Sequence, residues 1–121
     1  MKYMLLIYDE EKKFDTMAQA DLQKMMEEYG KFSQKVVESG KHQASGRLQP
    51  STNATTVRLR DGKRLVTDGP FAETREQLGG YYLVEAKNLD EAIDLAAQIP
   101  SARAGSIEVR PLFEMARPAT T

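Results

Sequence analysis

An α+β fold, with an antiparallel sheet carrying two helices on one face, is what this 121-residue sequence predicts. Three observations point there. Short apolar or alternating runs of strand length recur along the chain, and two longer stretches show an apolar period near 3.6. Their order is strand, helix, hairpin strands, strand, helix, strand. A chain of this length forms one domain with its own core, expected over residues 1–115, with a frayed tail at 116–121.

The first element is the apolar run Tyr3 to Tyr8, rich in β-formers, as in a central strand. Asp9-Glu10-Glu11-Lys12-Lys13 reads as a solvated loop. Thr16 is expected to start the first helix, with Gln19 completing a capping box. Ala18, Leu22, Met25, Met26, Tyr29, Phe32, Val36 and Val37 form its apolar stripe, and Gly40 stops it. Gly30 in mid-helix costs about 1 kcal/mol relative to alanine, which close approach of another backbone would explain.

His42 to Gln49 is expected to be extended, with Gly46 as a bulge or bend. Thr55 to Arg60 alternates as a half-exposed strand, Asp61-Gly62 is a hairpin turn signal, and Lys63 to Thr67 returns. A two-residue loop sets Val57 opposite Val66 but also Arg60 opposite Lys63, a like-charge pair that leaves the register open. Gly80 to Ala86 is the next strand. Asn88 caps a second helix whose face is Leu89, Ala92, Ile93, Ala96 and Ala97, and Pro100 ends it. Ser101 to Gly105 reads as a loop, and Pro111 marks Ser106 to Arg110 as an edge strand. With both helices on one sheet face, the ferredoxin-like arrangement follows. The bare face predicts a homodimer, sheet against sheet.

Composition narrows the function. With 17 basic and 18 acidic residues the net charge is −1, which argues against direct nucleic-acid binding. Cysteine is absent, so thiolate metal sites and cysteine nucleophiles are excluded, and a reducing cytoplasm is the expected location. No segment approaches the ~20 apolar residues of a membrane span. No His/Asp/Glu group has metal-ligand spacing and no cofactor motif is present, so neither metal nor cofactor is expected.

Residues 66–82 concentrate the remaining signal. Val66-Thr67-Asp68 opens as a strand, Gly69-Pro70 turns it, Phe71-Ala72-Glu73-Thr74-Arg75-Glu76-Gln77-Leu78 follows, and Gly79-Gly80-Tyr81-Tyr82 leads into another strand. This run, with Leu48-Gln49-Pro50 before the hairpin and Glu108-Val109-Arg110-Pro111 near the end, resembles the DGPF-domain group of the YCII-related family. The resemblance spans nearly the whole chain and implies a ferredoxin-like dimeric α/β-barrel. It implies no established activity. Some members of the group are named as transcription-initiation or sigma-factor-associated proteins, and distant relatives include isomerase- and dehydrochlorinase-like enzymes. YCII-type proteins resemble one another in a histidine on the first helix, proposed to pair with an aspartate. Counted back from Gly40, that position holds Tyr29 here, and the chain's one histidine, His42, lies beyond the helix, so no such dyad is carried over.

Asp68 is the first candidate acid/base, provided its strand end faces a pocket that raises its pKa. The alternative is an Asx-type turn ahead of Gly69. Glu73 is the second candidate. Arg75 and Arg110 are anchors for an anion, with Arg47 and Arg58 able to converge on one as well. Tyr29 and His42 complete the expected ligand set, and Phe71 is expected to plug the core. The resulting expectation is a cleft near Asp68-Gly69-Pro70-Phe71 that binds a small polar or anionic ligand, with isomerase- or lyase-like proton transfer. The alternative is a non-enzymatic dimeric interaction module linked to transcription, with Glu73 to Gln77 as its edge.

Overall fold

The computed structural model describes residues 1–114, so the expected tail at 116–121 lies outside the described residues. β1 (Lys2–Asp9) leads through a short helix, α1 (Lys12–Thr16), into the long α2 (Gln19–Glu38) and then β2 (His42–Arg47). β3 (Thr55–Arg60) and β4 (Lys63–Asp68) form a hairpin, followed by β5 (Gln77–Glu85), α3 (Leu89–Ala97) and β6 (Ser106–Pro111). The main sheet has the order β2-β5-β1-β6, with each neighbouring pair antiparallel. This is the ferredoxin-like order with the β3–β4 hairpin inserted between its second and third strands.

Alternation along β1 sets the layers. Tyr3, Leu5 and Ile7 are buried, while Met4, Leu6 and Tyr8 between them are only partly covered. From β5, Tyr82 and Val84 join the buried side. Both helices cover that same face: Phe32 and Val36 from α2, and Ala92, Leu95 and Ala96 from α3, meet the strands in one core cluster that Ile99 completes. Phe32 and Tyr82 pack edge to face with ring centroids 5.0 Å apart. Burying each large apolar side chain stabilises by about 1.5–3 kcal/mol, and Leu5 and Val84 are wholly enclosed. On the opposite sheet face Leu83, Tyr81 and Leu78 of β5 lie across from Met4, Leu6 and Tyr8. Among the described residues, no helix covers that face.

Several local expectations need correction. Thr16 ends α1 rather than starting α2, which begins after Ala18 with no side-chain cap. The Thr16 hydroxyl is already donated to Lys13 O, 3.5 Å away, so it is turned from the α2 amides. Gly30 meets no other atom within 4 Å where a Cβ would stand, so close packing does not explain it. The irregularity in β2 falls between His42 and Ala44, not at Gly46. Gly46 instead lies under the Tyr81 ring, which a Cβ at that position would approach to 3.0 Å. Asn88 caps α3 as its sequence predicts, accepting a 3.0 Å bond from Glu91 N.

The hairpin takes the register of a two-residue turn, with Val57 opposite Val66 and Arg60 opposite Lys63. Asp61 and Gly62 both have positive φ, 52° and 72°, as the tightest hairpin turn requires. Its two strands pair only with each other, and every residue of β4 is exposed. The hairpin is an arm standing off the sandwich.

Candidate functional site

The inward phase of β1 continues beyond its apolar residues. After Tyr3, Leu5 and Ile7 the next residue in that phase is Asp9, so a carboxylate ends up half-buried at the strand's C-terminal end. Pro100 opens a single 3₁₀ turn, Pro100–Arg103, directly after α3, and that turn carries Ser101, which is 3% exposed. Ser101 Oγ lies 2.7 Å from Asp9 Oδ2. From α2, the Tyr29 hydroxyl reaches the same Ser101 oxygen. An ionised carboxylate only accepts, so Ser101 donates to Asp9 and its lone pairs receive the Tyr29 proton. Three elements distant in sequence thereby form one directed chain, from phenol to hydroxyl to carboxylate.

Burial pushes the Asp9 pKa above the ordinary aspartate value, with the Ser101 bond opposing it and the Glu76 charge adding to it. Tyr29 is likewise raised, chiefly by burial, with the Ser101 bond opposing and the Asp9 charge adding. Both groups therefore favour their protonated forms more than exposed counterparts do. Gly105 makes the packing possible: a Cβ there would stand 2.1 Å from Tyr8 O and 2.5 Å from Asp9 Oδ1. A further polar pair, Tyr82 Oη and Ser33 Oγ at 2.6 Å, joins β5 to α2.

A second set of bonds fixes the loops around this end of the sheet. Glu11 accepts from Ser51 N at 2.7 Å and from Ser51 Oγ at 2.6 Å, which ties the loop after β1 to the base of the hairpin arm. Gln77 Oε1 accepts from Glu11 N at 3.0 Å. Glu76 accepts from Ser106 Oγ at 2.8 Å, holding the segment before β5 against the start of β6. Asp9, Glu10, Glu11 and Glu76 thus gather at one end of the fold, with Lys13 the cation that acts on Asp9.

The residues singled out in sequence are dispersed. Asp68 and Glu73 are both exposed, and neither bonds to the Asp9 cluster among the described residues. The turn after Asp68 is not an Asx turn: Gly69 N donates to Ala54 O at 2.7 Å, and Thr56 Oγ1 donates to Gly69 O at 2.8 Å. Phe71, expected in the core, is 79% exposed. It follows the Gly69-Pro70 turn outside the sandwich, where no described helix lies over it. Arg75 reaches back to Glu10 at 3.1 Å, and Arg110 pairs with Glu108 on its own strand. His42 Nε2 lies 2.9 Å from Ser45 Oγ at the sheet edge. Arg47 donates to the Met26 sulfur and Arg58 lies on the arm, so the arginines do not converge. Of the expected residues, Tyr29 bonds to Ser101 beside Asp9, and Arg75 reaches this end only through Glu10. Asp9 and Ser101 are not among the residues singled out in sequence, although the period-two phase of β1 points Asp9 inward.

No group of three or more His, Cys, Asp or Glu side chains is arranged to hold a metal ion among the described residues. No described helix is long and apolar enough to cross a membrane.

Comparison with known proteins gives the following likenesses. The sequence model of the YCII-related domain matches residues 1–116. An uncharacterised protein of Rhizobium meliloti (strain 1021) is 41% identical over 114 residues, covering 93% of this chain and 92% of that one. The solved structure of 5-chloro-2-hydroxyhydroquinone dehydrochlorinase from Burkholderia phenoliruptrix AC1100, in complex with 2,5-dihydroxybenzoquinone, is 14% identical with a TM-score of 0.49. That match covers 95% of this chain and 96% of the other.

Proposed function

The chain belongs to the YCII-related family, and from that premise we propose that it binds a small polar molecule at the inner end of β1 and moves a proton there. Asp9 is the acid/base. The observation that carries this reading is the half-buried Asp9 carboxylate with its raised pKa, hydrogen-bonded to a buried serine that is itself bonded to Tyr29. A carboxyl poised above its ordinary range is a better proton carrier near neutrality than an exposed one. The Tyr29 and Ser101 hydroxyls orient the carboxylate through Oδ2, and Gly105, having no side chain, keeps Cβ atoms away from Oδ1.

The crowd of acidic side chains at this end favours a neutral, hydrogen-bond-donating ligand over an anion. The chemistry is proton transfer: Asp9 takes a proton from a carbon or hydroxyl of the ligand. In an isomerisation the proton returns at a second atom of the same molecule, and in an elimination the bonding electrons expel a leaving group. Asp68 and Glu73, on the exposed arm and the segment after it, serve at most the approach to this site. The second part of the reading is a homodimer, with the bare sheet faces of two copies closing a dimeric α/β-barrel. The half-covered apolar residues Met4, Leu6, Tyr81 and Leu83 on that face support it.

The test is a thermal-shift titration with a panel of small phenols, hydroxyquinones and 1,3-dicarbonyl compounds. A ligand of the folded state raises the melting temperature in proportion to the logarithm of its excess over Kd. At least one compound is expected to do so with the wild type and to lose its effect with Asp9→Asn. A responding compound whose effect survives Asp9→Asn, or a panel without any response, refutes the assignment.

A further inference from the structure

The β3–β4 arm has two unlike faces. Its register puts Val57, Leu59 and Val66 on one side, where Arg64 lies opposite Leu59 and Thr55 pairs with Asp68 at the base, and puts Arg58, Arg60 and Lys63 on the other with Leu65. The apolar side is bare: Val57 is 59%, Leu59 68% and Val66 56% exposed. An isolated two-stranded hairpin is marginally stable in water, and an apolar side of this kind marks a surface meant to be covered. The base of the arm is nonetheless tied to the body, by the Ser51 bonds to Glu11. It is a presented element with a set direction.

Area and charge identify what covers it. The chain exposes 9120 Å², whereas a compact monomer of this mass exposes about 6,600 Å². Residues 115–121 account for at most roughly 1,100 Å² of that difference even at unfolded-chain exposure. The remaining excess, about 1,400 Å², is more than the roughly 800 Å² per partner of a standard interface. Residues 55–68 hold four of the 17 basic and two of the 18 acidic residues, so the arm carries +2 and the rest of the chain −3. Opposite signs on the two parts of one chain suit reciprocal contact between two copies.

We propose that the arm docks on the body of a second copy, apolar side inward, so that each subunit of the homodimer is clasped by the other's hairpin. Arm docking presupposes the homodimer proposed from the bare sheet face and adds a contact that the sheet face alone does not need. Arg64 on the docking side, with Arg58, Arg60 and Lys63 at its rim, then meets the acidic body of the second copy.

The experiment uses the full chain in a sedimentation dilution series. Val57→Glu/Leu59→Glu places charge on the docking side without touching the core, so the subunit fold, read by far-UV circular dichroism, is retained. At least a tenfold weaker dimer is expected. Because the chain has no cysteine, Leu59→Cys adds a single thiol whose reaction with a maleimide reports cover on the arm. That reaction is expected to slow severalfold as concentration rises through the dimer Kd. A dimer of unchanged affinity in the double variant, with a thiol rate independent of concentration, overturns arm docking and leaves the sheet-to-sheet dimer standing. A wild type that stays monomeric throughout overturns both.

Discussion

Asp9 and Asp68 each end a β-strand, yet one carboxylate is drawn to the edge of the core and the other stands in solvent. The strands explain the contrast. β1 is a central strand with a helical layer over one face, so its phase carries Asp9 toward Ser101 and Tyr29. β4 belongs to a two-stranded arm with no second layer, and either phase leaves Asp68 exposed. The density of charged and turn-forming residues around Asp68 is a feature of sequence. The environment that perturbs a carboxylate is a feature of layers, and it falls where the local sequence is less conspicuous.

The sharpest way to break this comparison is through the glycines beside each aspartate. At Gly105 a methyl group would collide with Tyr8 O and Asp9 Oδ1, so Gly105→Ala must displace β1 or the turn that carries Ser101. Overpacking of this kind costs about 1–3 kcal/mol, and here the upper half of that range is expected because one contact is with backbone. At Gly69, with φ of 93°, nothing lies within 4 Å of where a Cβ would stand. Gly69→Ala therefore meets only left-handed backbone strain, about 1–2 kcal/mol. Urea denaturation of the two variants checks the order. If Gly69→Ala is the more damaging, the Asp68 turn is the tighter of the two regions and the contrast is reversed.

Much of the fold was legible because pattern and layer agree in the sandwich. The run Tyr3 to Tyr8, the Asn88 cap and the Asp61-Gly62 turn each encode their structure within a few residues. What escaped depends on distant partners. Phe71 was expected inside because it is large and apolar, but its place is set by the arm's projection from the sheet. Ser101 looked like one more loop residue, since nothing nearby in sequence announces Asp9 or Tyr29. Asp9 itself was grouped with the acidic loop that follows, although its parity with Tyr3, Leu5 and Ile7 already assigned it to the inner face. The Thr16 cap failed through local competition: the same hydroxyl serves the preceding helical turn.

A pH series sharpens the comparison further. The folded Asp9 carboxyl has a pKa raised above its unfolded value of about 3.9. Between those two values the native state holds more protons than the unfolded one, so this group's contribution falls as pH rises through the window. Above the raised pKa its ionisation is a constant cost, and below the unfolded pKa the cost is absent. Asp9→Asn keeps an acceptor for the Ser101 hydroxyl and carries no charge to desolvate. The variant is expected to match or exceed wild-type stability at pH 7, with the gap closing as pH falls toward the unfolded value. Denaturant titrations at several pH values read this directly. A variant that is less stable at pH 7, with a deficit that shrinks on acidification, would mean that the carboxylate is held by favourable charge rather than strained by burial.

The smallest effect belongs to the other aspartate. The Asp68 and Glu73 side chains are exposed and the turn between them is held by Gly69 N and Gly69 O, not by either carboxylate. Surface substitutions away from packed or bonded features change stability by about 0.5 kcal/mol or less. Asp68→Asn and Glu73→Gln, singly or together, are expected to stay within that limit in urea. They are also expected to leave intact any ligand response that Asp9→Asn abolishes. If the double variant loses the ligand response while Asp9→Asn retains it, the acid/base group sits at the arm, and the raised pKa of Asp9 is no more than the cost of tying β1 to Ser101. The two carboxylate regions would then exchange roles, with β1 supplying architecture and the arm supplying chemistry.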